Sequence, residues 1–250
     1  MIPIGDDNSD RIKTPFVNYI LIAVNIFVFI FYQKLGGDYQ FTYSYSAVPA
    51  EILSGHDIVT DATIVQDPIS GQEVTIPGLG ITAFPVWLTL ITSMFMHGGI
   101  AHLVGNMLYL FVFGDNLEDR LGHMRYFLFY ILCGIIASLT HVFSVFILDD
   151  NHLIPSLGAS GAISAVMGGY LLLFPSKRVT VFFIFTFISV PAFIALGFWI
   201  FFQIANGTGY LGGSEASGIA YSAHIGGFIA GLVLVRKFHP NLKLGSYRRR

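Results

Sequence analysis

Charged side chains are scarce in this chain. Only 11% of its 250 residues are Asp, Glu, Lys or Arg, whereas 54% are hydrophobic and 24 residues are phenylalanine. A soluble domain needs more charge than this, because it could not bury so large an apolar fraction. The composition therefore predicts an integral membrane protein, and the formal net charge of -2 indicates no nucleic-acid partner.

Cysteine is nearly absent as well. The single Cys133 lies in an apolar segment, which excludes a disulfide or a thiolate metal site within one chain. In the motif MHGGIAH, His97 and His102 are five residues apart, no HExxH is present and no carboxylate lies nearby. We therefore expect no metal and no other cofactor. The remaining histidines without a partner pattern are expected at the surface or the membrane interface: His56, His123, His141, His152 and His239.

Long apolar segments make up most of the chain. A helix of about 17 to 25 apolar residues, rising 1.5 Å each, crosses the roughly 30 Å of membrane hydrocarbon. The predicted fold is an all-α membrane protein, a single six-helix bundle over residues 1–250 with a long external loop at 36–99. The predicted spans are residues 16–33, 101–117, 124–148, 160–174, 179–204 and 222–236, with Pro191 expected to kink the fifth.

Basic residues indicate the orientation of these spans, because Lys and Arg gather near the cytoplasmic ends of membrane helices. Both termini are therefore predicted to be cytoplasmic. The N-terminal stretch MIPIGDDNSDRIKTP is polar and acidic, unlike a cleavable signal peptide, and the six-span plan fits a bacterial inner membrane. The basic residues that carry this prediction are Arg11, Lys13, Arg120, Arg125, Lys177, Arg178, Arg236, Lys237, Lys243 and residues 248–250.

The segment between the first two spans has local patterns of its own. Its middle, ATIVQDPISGQEVTI at residues 62–76, alternates β-branched residues around a Pro/Gly turn and predicts a short hairpin. Its end, VWLTLITSMFM at residues 86–96, is apolar but too short to span. We predict an interfacial or re-entrant piece there.

Polar residues begin spans two, four and six. His102 and Asn106 lie one helical turn apart in span two. Ser160 begins span four and His224 begins span six. Polar side chains at that depth are costly unless they face the bundle interior or an aqueous cavity. Because a serine nucleophile needs a base and its oxyanion needs fixed donors, we predict Ser160 as nucleophile and His224 as base. The predicted oxyanion donors are Asn106, His102 and the Ser160 backbone amide.

Glycines surround this serine, in the stretch PSLGASGAISAVMGG at residues 155–169. We predict that they let neighbouring helices approach and leave the hydroxyl accessible. Taken singly, Ser160 is also explained as a small residue at a helix contact, and His224 or Asn106 as an interhelical hydrogen-bonding residue. The three residues together favour a catalytic role over packing alone. The stretch is not a G-x-S-x-G elbow, because Ala162 follows Ser160 by two. The predicted packing glycines are Gly158, Gly161, Gly227 and Gly231.

Four motifs follow one another with a specific spacing: HGGIAHLVGNM (97–107), FGDNLEDRLGHMRYFLFYILCG (113–134), GASG (158–161) and AHIGGFIAG (223–231). In this order they resemble the rhomboid family of intramembrane serine proteases. The resemblance covers residues from about 87 to 231. It implies a six-helix bundle that cleaves transmembrane substrates near the outer membrane boundary, with substrates entering from lipid between spans two and five.

The same resemblance implies roles for particular residues. Ser160 and His224 form a dyad without a third acidic member. The oxyanion site consists of the Ser160 amide with His102 and Asn106. Within FGDNLEDRLG, Glu118 has a structural, hydrogen-bonding role.

Two positions depart from the family pattern. Many members carry an aromatic residue four positions after the serine, which can pack on the histidine ring, but Ser164 occupies that position here. Tyr221 or a phenylalanine is then expected to orient His224. Trp87 lacks the arginine that follows it in the family, because Leu88 comes next.

Two other functions match part of the pattern. An inactive rhomboid-like protein would keep the fold to hold client helices, but the presence of both Ser160 and His224 disfavours it. A channel or transporter would carry charged residues within its spans, and these spans have almost none. The predicted partners are transmembrane protein substrates and membrane lipid.

Overall fold

Apolar helices form most of the structure. The computed structural model describes residues 2–66, 72–208 and 220–239. In chain order its helices are α1 (Phe16–Phe27, continued by a π-helix at Val28–Tyr32), α2 (Tyr39–Ser44), α3 (Pro49–Ser54), α4 (Thr89–Thr92), α5 (Ile100–Leu121), α6 (His123–Ile147), α7 (Ser160–Leu173), α8 (Ala192–Gly207) and α9 (Tyr221–Phe238). Its strands are β1 (Ile2–Asp6), β2 (Thr63–Gln66), β3 (Glu73–Ile76), β4 (Arg178–Phe183) and β5 (Thr186–Pro191).

Five of the six predicted spans coincide with helices, and their ends agree within four residues. These helices are α1 with its π-helical continuation, α5, α6, α7 and α9. By length and composition α5 and α6 are able to cross a membrane, whereas α1, α7 and α8 are shorter apolar helices. The six-span count and the orientation stay predictions. The basic tail from Lys243 onward lies outside the described residues.

The prediction is wrong at the fifth span, and the fold is not all-α. Residues 179–191 form the hairpin of β4 and β5, and β1 pairs antiparallel with β4 to give the sheet order β1-β4-β5. The run VTVFFIFTFISV is rich in β-branched and aromatic residues, which favour strands. A continuous apolar run does not distinguish strand from helix by its period, so sequence pattern alone could not separate them.

Pro191 has a different role from the predicted kink. It ends β5 and precedes the first residue of α8, where its missing N–H costs no helical hydrogen bond. The start of α8 is then tied to the connection between α7 and β4, because the Ala192 N–H donates to Lys177 O at 2.9 Å and the Phe193 N–H to Pro175 O at 3.0 Å. The fifth apolar helix is therefore limited to Ala192–Gly207.

The segment before α5 contains the hairpin that the sequence predicts. Strands β2 and β3 pair antiparallel, with Thr63 opposite Ile76, and the predicted Pro/Gly turn falls on residues 67–71, which lie outside the described residues. The apolar piece at 86–96 consists of short helical turns around α4. Its side chains Val86, Leu90 and Met94 are buried in the protein.

Helix α7 is the most buried helix of the bundle, and it packs against α9 backbone to backbone. A Cβ on Gly227 would lie 2.2 Å from the Gly161 carbonyl oxygen, and one on Gly231 would lie 2.0 Å from that of Ala165. Any larger residue at these glycines would force the helices apart, since real Cβ contacts are never so short. The contacts run in the same order along both helices, so α7 and α9 are parallel and start at the same end.

The start of α1 is held by a side chain from α5. The Glu118 carboxylate accepts hydrogen bonds from the N–H groups of Val17 at 3.0 Å and Asn18 at 2.7 Å. The first N–H groups of a helix have no intrahelical acceptor, so this carboxylate caps α1. Glu118 is fully buried and also contacts His123 Nδ1. It has the hydrogen-bonding role that the motif predicts.

Replacing Glu118 by alanine is expected to destabilise the fold by about 2–4 kcal/mol, because two backbone donors lose their acceptor in a buried site. The free energy of unfolding in a lipid or detergent environment measures this loss. Asp119→Ala is the matched control, because Asp119 caps exposed N–H groups of Ile12 and Lys13. Equal losses in the two variants would contradict a special role for the buried cap.

A second polar cluster fastens the N-terminal segment at the end of the bundle opposite to Ser160. The buried Lys177 ammonium donates to Asp10 Oδ1 at 2.6 Å and to Asn116 Oδ1 at 2.5 Å. The Asp6 carboxylate accepts from Asn116 Nδ2 at 2.7 Å and from the Tyr170 hydroxyl. These bonds tie β1 and the following loop to α5 and α7.

Asp6 is expected to make the folded state less stable as the pH rises through about 7. Burial raises the pKa of its carboxyl from 3.8 to about 7. The folded protein therefore keeps a proton that the unfolded chain releases, and this stabilisation is fully present below pH 3.8 and lost above about 7.

Thermal midpoints measured from about pH 5 to 8 test this titration of a single group. Wild type should lose stability relative to Asp6→Asn across that range. Asp38→Asn is the control, because the hydrogen bond from Lys34 lowers the pKa of the half-buried Asp38, which should titrate below the range. Parallel curves for wild type and Asp6→Asn would contradict the prediction.

Candidate active site

A serine and a histidine meet at the shared end of α7 and α9. Ser160 is the first residue of α7, and His224 lies in the first turn of α9. Their side chains are in hydrogen-bonding contact, with 2.8 Å between His224 Nε2 and Ser160 Oγ. The close parallel packing at Gly161 and Gly227 brings the two helix starts together. This contact has the geometry of a nucleophile with its base.

The second ring nitrogen of His224 is bound by a residue that the sequence reasoning missed. His224 Nδ1 lies 2.7 Å from Gln203 Oε1 on α8. The ring centroids of Trp199 and Tyr221 lie 5.9 Å and 6.5 Å from that of His224. Tyr221 therefore contacts the ring as expected, but the hydrogen-bond partner of Nδ1 is the side-chain oxygen of Gln203. A polar residue within an apolar span was the signal that could have identified it.

Ser164 occupies the position where the family often has an aromatic residue, and its hydroxyl bonds within its own helix. The Ser164 hydroxyl donates to the backbone oxygen of Ser160 at 2.6 Å, within α7. The groups that contact the His224 ring in the described part of the chain are Gln203 and Trp199 on α8 and Tyr221 on α9, so the ring is oriented from these two helices. As the first residue of α7, Ser160 has a backbone N–H without an intrahelical acceptor.

The predicted oxyanion residues face the same place. Gly158 has φ +120°, and a Cβ there would lie 2.8 Å from His102 Nε2 and 3.6 Å from Asn106 Nδ2. Only glycine suits that conformation and that space. The Asn106 Nδ2 group is buried and has no hydrogen-bond partner among the residues that the structure describes. The loop before Ser160 therefore runs directly against both α5 side chains.

His102 presents a donor towards this loop. Its Nδ1 accepts the Gly98 N–H at 3.4 Å. A neutral imidazole that accepts at Nδ1 carries its proton on Nε2, which is the atom beside Gly158. Three N–H groups, from His102, Asn106 and the Ser160 backbone, thus lie around one end of the dyad.

These residues line a cavity of about 890 Å³ that opens to the surface. His141 also lines it, and the prediction that this histidine lies at the surface is wrong: it is 8% exposed and its Nδ1 lies 3.0 Å from Ser222 Oγ. His97 is buried against His102, with ring centroids 5.1 Å apart. Its backbone is held by Gln33, which donates to His97 O at 2.9 Å.

No carboxylate hydrogen-bonds His224 within residues 2–66, 72–208 and 220–239. In the same part of the chain no three His, Cys, Asp or Glu side chains are grouped to hold a metal ion. The arrangement is thus a hydroxyl, an imidazole and an amide, with N–H donors from His102 and Asn106 in the same cavity. Chemically it can activate a hydroxyl and stabilise an oxyanion.

Known proteins with similar sequences share this part of the chain. Residues 85–241 match the model of the Rhomboid domain. The chain is 37% identical over 147 residues to Rhomboid protease GluP of Bacillus subtilis, covering 58% of this chain and 25% of the relative. It is 35% identical over 122 residues to Putative rhomboid protease YdcA of the same organism, covering 48% and 53%.

A mitochondrial relative shows the same similarity. Rhomboid protein 1, mitochondrial, of Saccharomyces cerevisiae is 33% identical over 147 residues, covering 58% of this chain and 40% of the relative. The chain thus spans between a quarter and about half of the length of these three curated relatives. The range matched by the Rhomboid domain includes Ser160, His224, Gln203, His102 and Asn106.

Proposed function

Because this chain belongs to the rhomboid family of integral membrane proteins, we propose that it is an intramembrane serine endopeptidase. Named rhomboid proteases among its relatives support a protease function. The observation that carries the proposal is the 2.8 Å contact between His224 Nε2 and Ser160 Oγ at an open cavity. We assign no cofactor to the reaction.

In the proposed reaction Ser160 Oγ attacks the carbonyl carbon of the scissile peptide bond. His224 Nε2 takes the hydroxyl proton as the new bond forms, then gives it to the leaving amine as the peptide bond breaks. His224 Nε2 then removes a proton from a water molecule as its oxygen bonds to the acyl carbon, and it gives that proton to Ser160 Oγ as the ester bond breaks. Every proton transfer passes through His224 Nε2, so Ser160 and His224 end in the protonation states in which they began.

The negative charge that develops on the carbonyl oxygen is assigned to the N–H groups beside Gly158. Asn106 Nδ2, which has no partner within the described part of the chain, supports this assignment, because a buried donor without an acceptor is costly unless a ligand supplies one. His102 Nε2 and the Ser160 amide complete the set. Fixed donors need no reorganisation when the charge appears.

The substrates we propose are transmembrane proteins, cleaved near the outer membrane boundary. Entry between α5 and α8 is supported by an apolar cavity of about 220 Å³ between them, lined by Tyr109, Phe113, Phe198 and Phe202 among others. A helical substrate must unwind at the cleaved bond, because its peptide groups are otherwise hydrogen-bonded, and helix-destabilising residues should help. Cytoplasmic termini and a bacterial inner membrane complete the proposal.

The test uses the full chain in lipid vesicles with a reporter that has one transmembrane helix and Gly and Pro near its outer end. A protease cuts this reporter near that end, which mass spectrometry of the fragments locates. A matched reporter with Leu in place of Gly and Pro should be cut more slowly. An intact reporter that co-purifies with the chain would instead support the client-binding alternative.

A further inference from the structure

We propose that Gln203 is the positioning residue of the dyad, a neutral third member that holds His224 in the tautomer the reaction needs. This inference rests on the proposed protease function. The family pattern has no acidic third member, and Gln203 is an amide on a helix that carries neither dyad residue. Its side chain is the one that hydrogen-bonds His224 Nδ1, at 2.7 Å.

Both ring nitrogens of His224 are in hydrogen-bonding contact, so the position of the ring proton decides whether Nε2 can accept the proton of Ser160. A neutral imidazole has one N–H and one lone pair. When Nδ1 carries the proton and donates to Gln203 Oε1, the Nε2 lone pair faces the Ser160 hydroxyl and can accept its proton. The opposite tautomer would place an N–H against Ser160 Oγ and prevent proton removal. An acceptor at Nδ1 therefore selects the reactive form.

The groups around the ring leave this task to Gln203. Trp199 and Tyr221 contact the ring at 5.9 Å and 6.5 Å between centroids, which restrains its tilt. The imidazoles of His102 on α5 and His141 on α6 are the other titratable groups near the ring. Among the described residues, Gln203 Oε1 is the acceptor at Nδ1.

An amide also suits the surroundings better than a carboxylate. An ionised side chain inside a membrane protein is expensive, whereas an amide oxygen accepts the same hydrogen bond without net charge. A glutamate at this position would also accept the hydrogen bond from Nδ1, because an ionised carboxylate only accepts.

Gln203 follows Trp199 by one helical turn, so both contact the dyad region from one face of α8. Few α8 residues are buried: Ala192, Ala195, Leu196 and Ala205. A shift of α8 away from α9 would therefore withdraw the acceptor from Nδ1 and leave the Ser160–His224 contact unsupported. The alignment of the dyad depends on the position of α8.

Two substitutions separate the acceptor from the shape of the side chain. Gln203→Met keeps the length and removes the acceptor, and kcat is expected to fall about five- to tenfold with KM unchanged. Gln203→Glu restores an acceptor and should recover most of that loss. Asn206→Leu is the matched control, because Asn206 bonds Phe202 O within α8 at 2.8 Å and does not contact His224.

Nitrogen-15 NMR of histidine-labelled protein supplies a readout that does not need cleavage. The His224 signals are identified by their absence in His224→Ala. We expect protonated Nδ1 in wild type and Gln203→Glu, and a mixture of tautomers in Gln203→Met. Unchanged tautomer in Gln203→Met, or equal losses of kcat in the Met and Glu variants, would overturn the proposal. If wild type cleaves nothing, the protease function fails while the tautomer measurement still decides the role of Gln203.

Discussion

Replacing Ser160 by alanine is expected to lower cleavage of a transmembrane reporter at least about a thousandfold, and His224→Ala should do the same. Without the hydroxyl no acyl-enzyme forms, and without the imidazole nothing within contact of the hydroxyl removes its proton. The two residues act as one unit, so the double variant should be no worse than either single one. The initial rate of fragment formation in lipid vesicles measures all three.

Ser164→Ala is the matched control for this comparison. It removes a hydroxyl from the same buried helix, but that hydroxyl donates to the Ser160 backbone oxygen and does not contact His224. Its rate should stay within about threefold of wild type, because the lost hydrogen bond is a single neutral one. A fluorophosphonate probe should label wild type and Ser164→Ala but not Ser160→Ala. Cleavage that persists in Ser160→Ala would refute the dyad.

Replacing Asn106 by alanine is expected to lower kcat about a hundredfold with little change in KM. Among the described residues the Asn106 Nδ2 group has no hydrogen-bond partner, so in the proposed reaction its hydrogen bond would form only with the oxyanion. An interaction made only in the transition state lowers kcat when it is lost. Full progress curves at several reporter concentrations separate the two constants.

Asn25→Ala controls for the loss of a buried asparagine as such. Asn25 is fully buried in α1, and its Nδ2 donates to Leu21 O at 2.7 Å within that helix. This variant should lose stability and keep its kcat. The double variant Asn106→Ala with His102→Ala should be slower than either single one, because both residues supply donors beside Gly158. Equal kcat in wild type and Asn106→Ala would show that Asn106 is no part of the oxyanion site.

Much of the helical plan could be predicted from the chain itself. The ends of α1, α5, α6, α7 and α9 follow from runs of apolar residues, because a backbone in lipid must satisfy its hydrogen bonds within the segment and so becomes helical. The same reasoning failed at residues 179–191, where an apolar run forms strands. An apolar run is compatible with either a helix or a strand, and here the strands β4 and β5 pair with each other and β4 pairs with β1.

Some residues of the candidate site could be predicted from the sequence, and others could not. Ser160, His224, His102 and Asn106 were identified from the sequence, because polar side chains at the starts of apolar segments are costly and rare. Gln203 and His141 were not, since neither lies at a segment start nor in a motif. Gln203 reaches His224 only because α8 packs on α9, a contact between residues 21 positions apart.

The sequence by itself determined that the chain belongs in a membrane, which apolar segments outside residues 179–191 become helices, and which residues have the chemistry for serine catalysis. These properties depend on composition and on spacing within single segments, and solvation acts on them locally. Only the tertiary structure decided that residues 179–191 form a hairpin paired with β1, that Asn106 Nδ2 has no hydrogen-bond partner among the described residues, and that an amide from α8 meets the histidine of α9. Such contacts join distant segments, and their geometry is set by how whole helices pack.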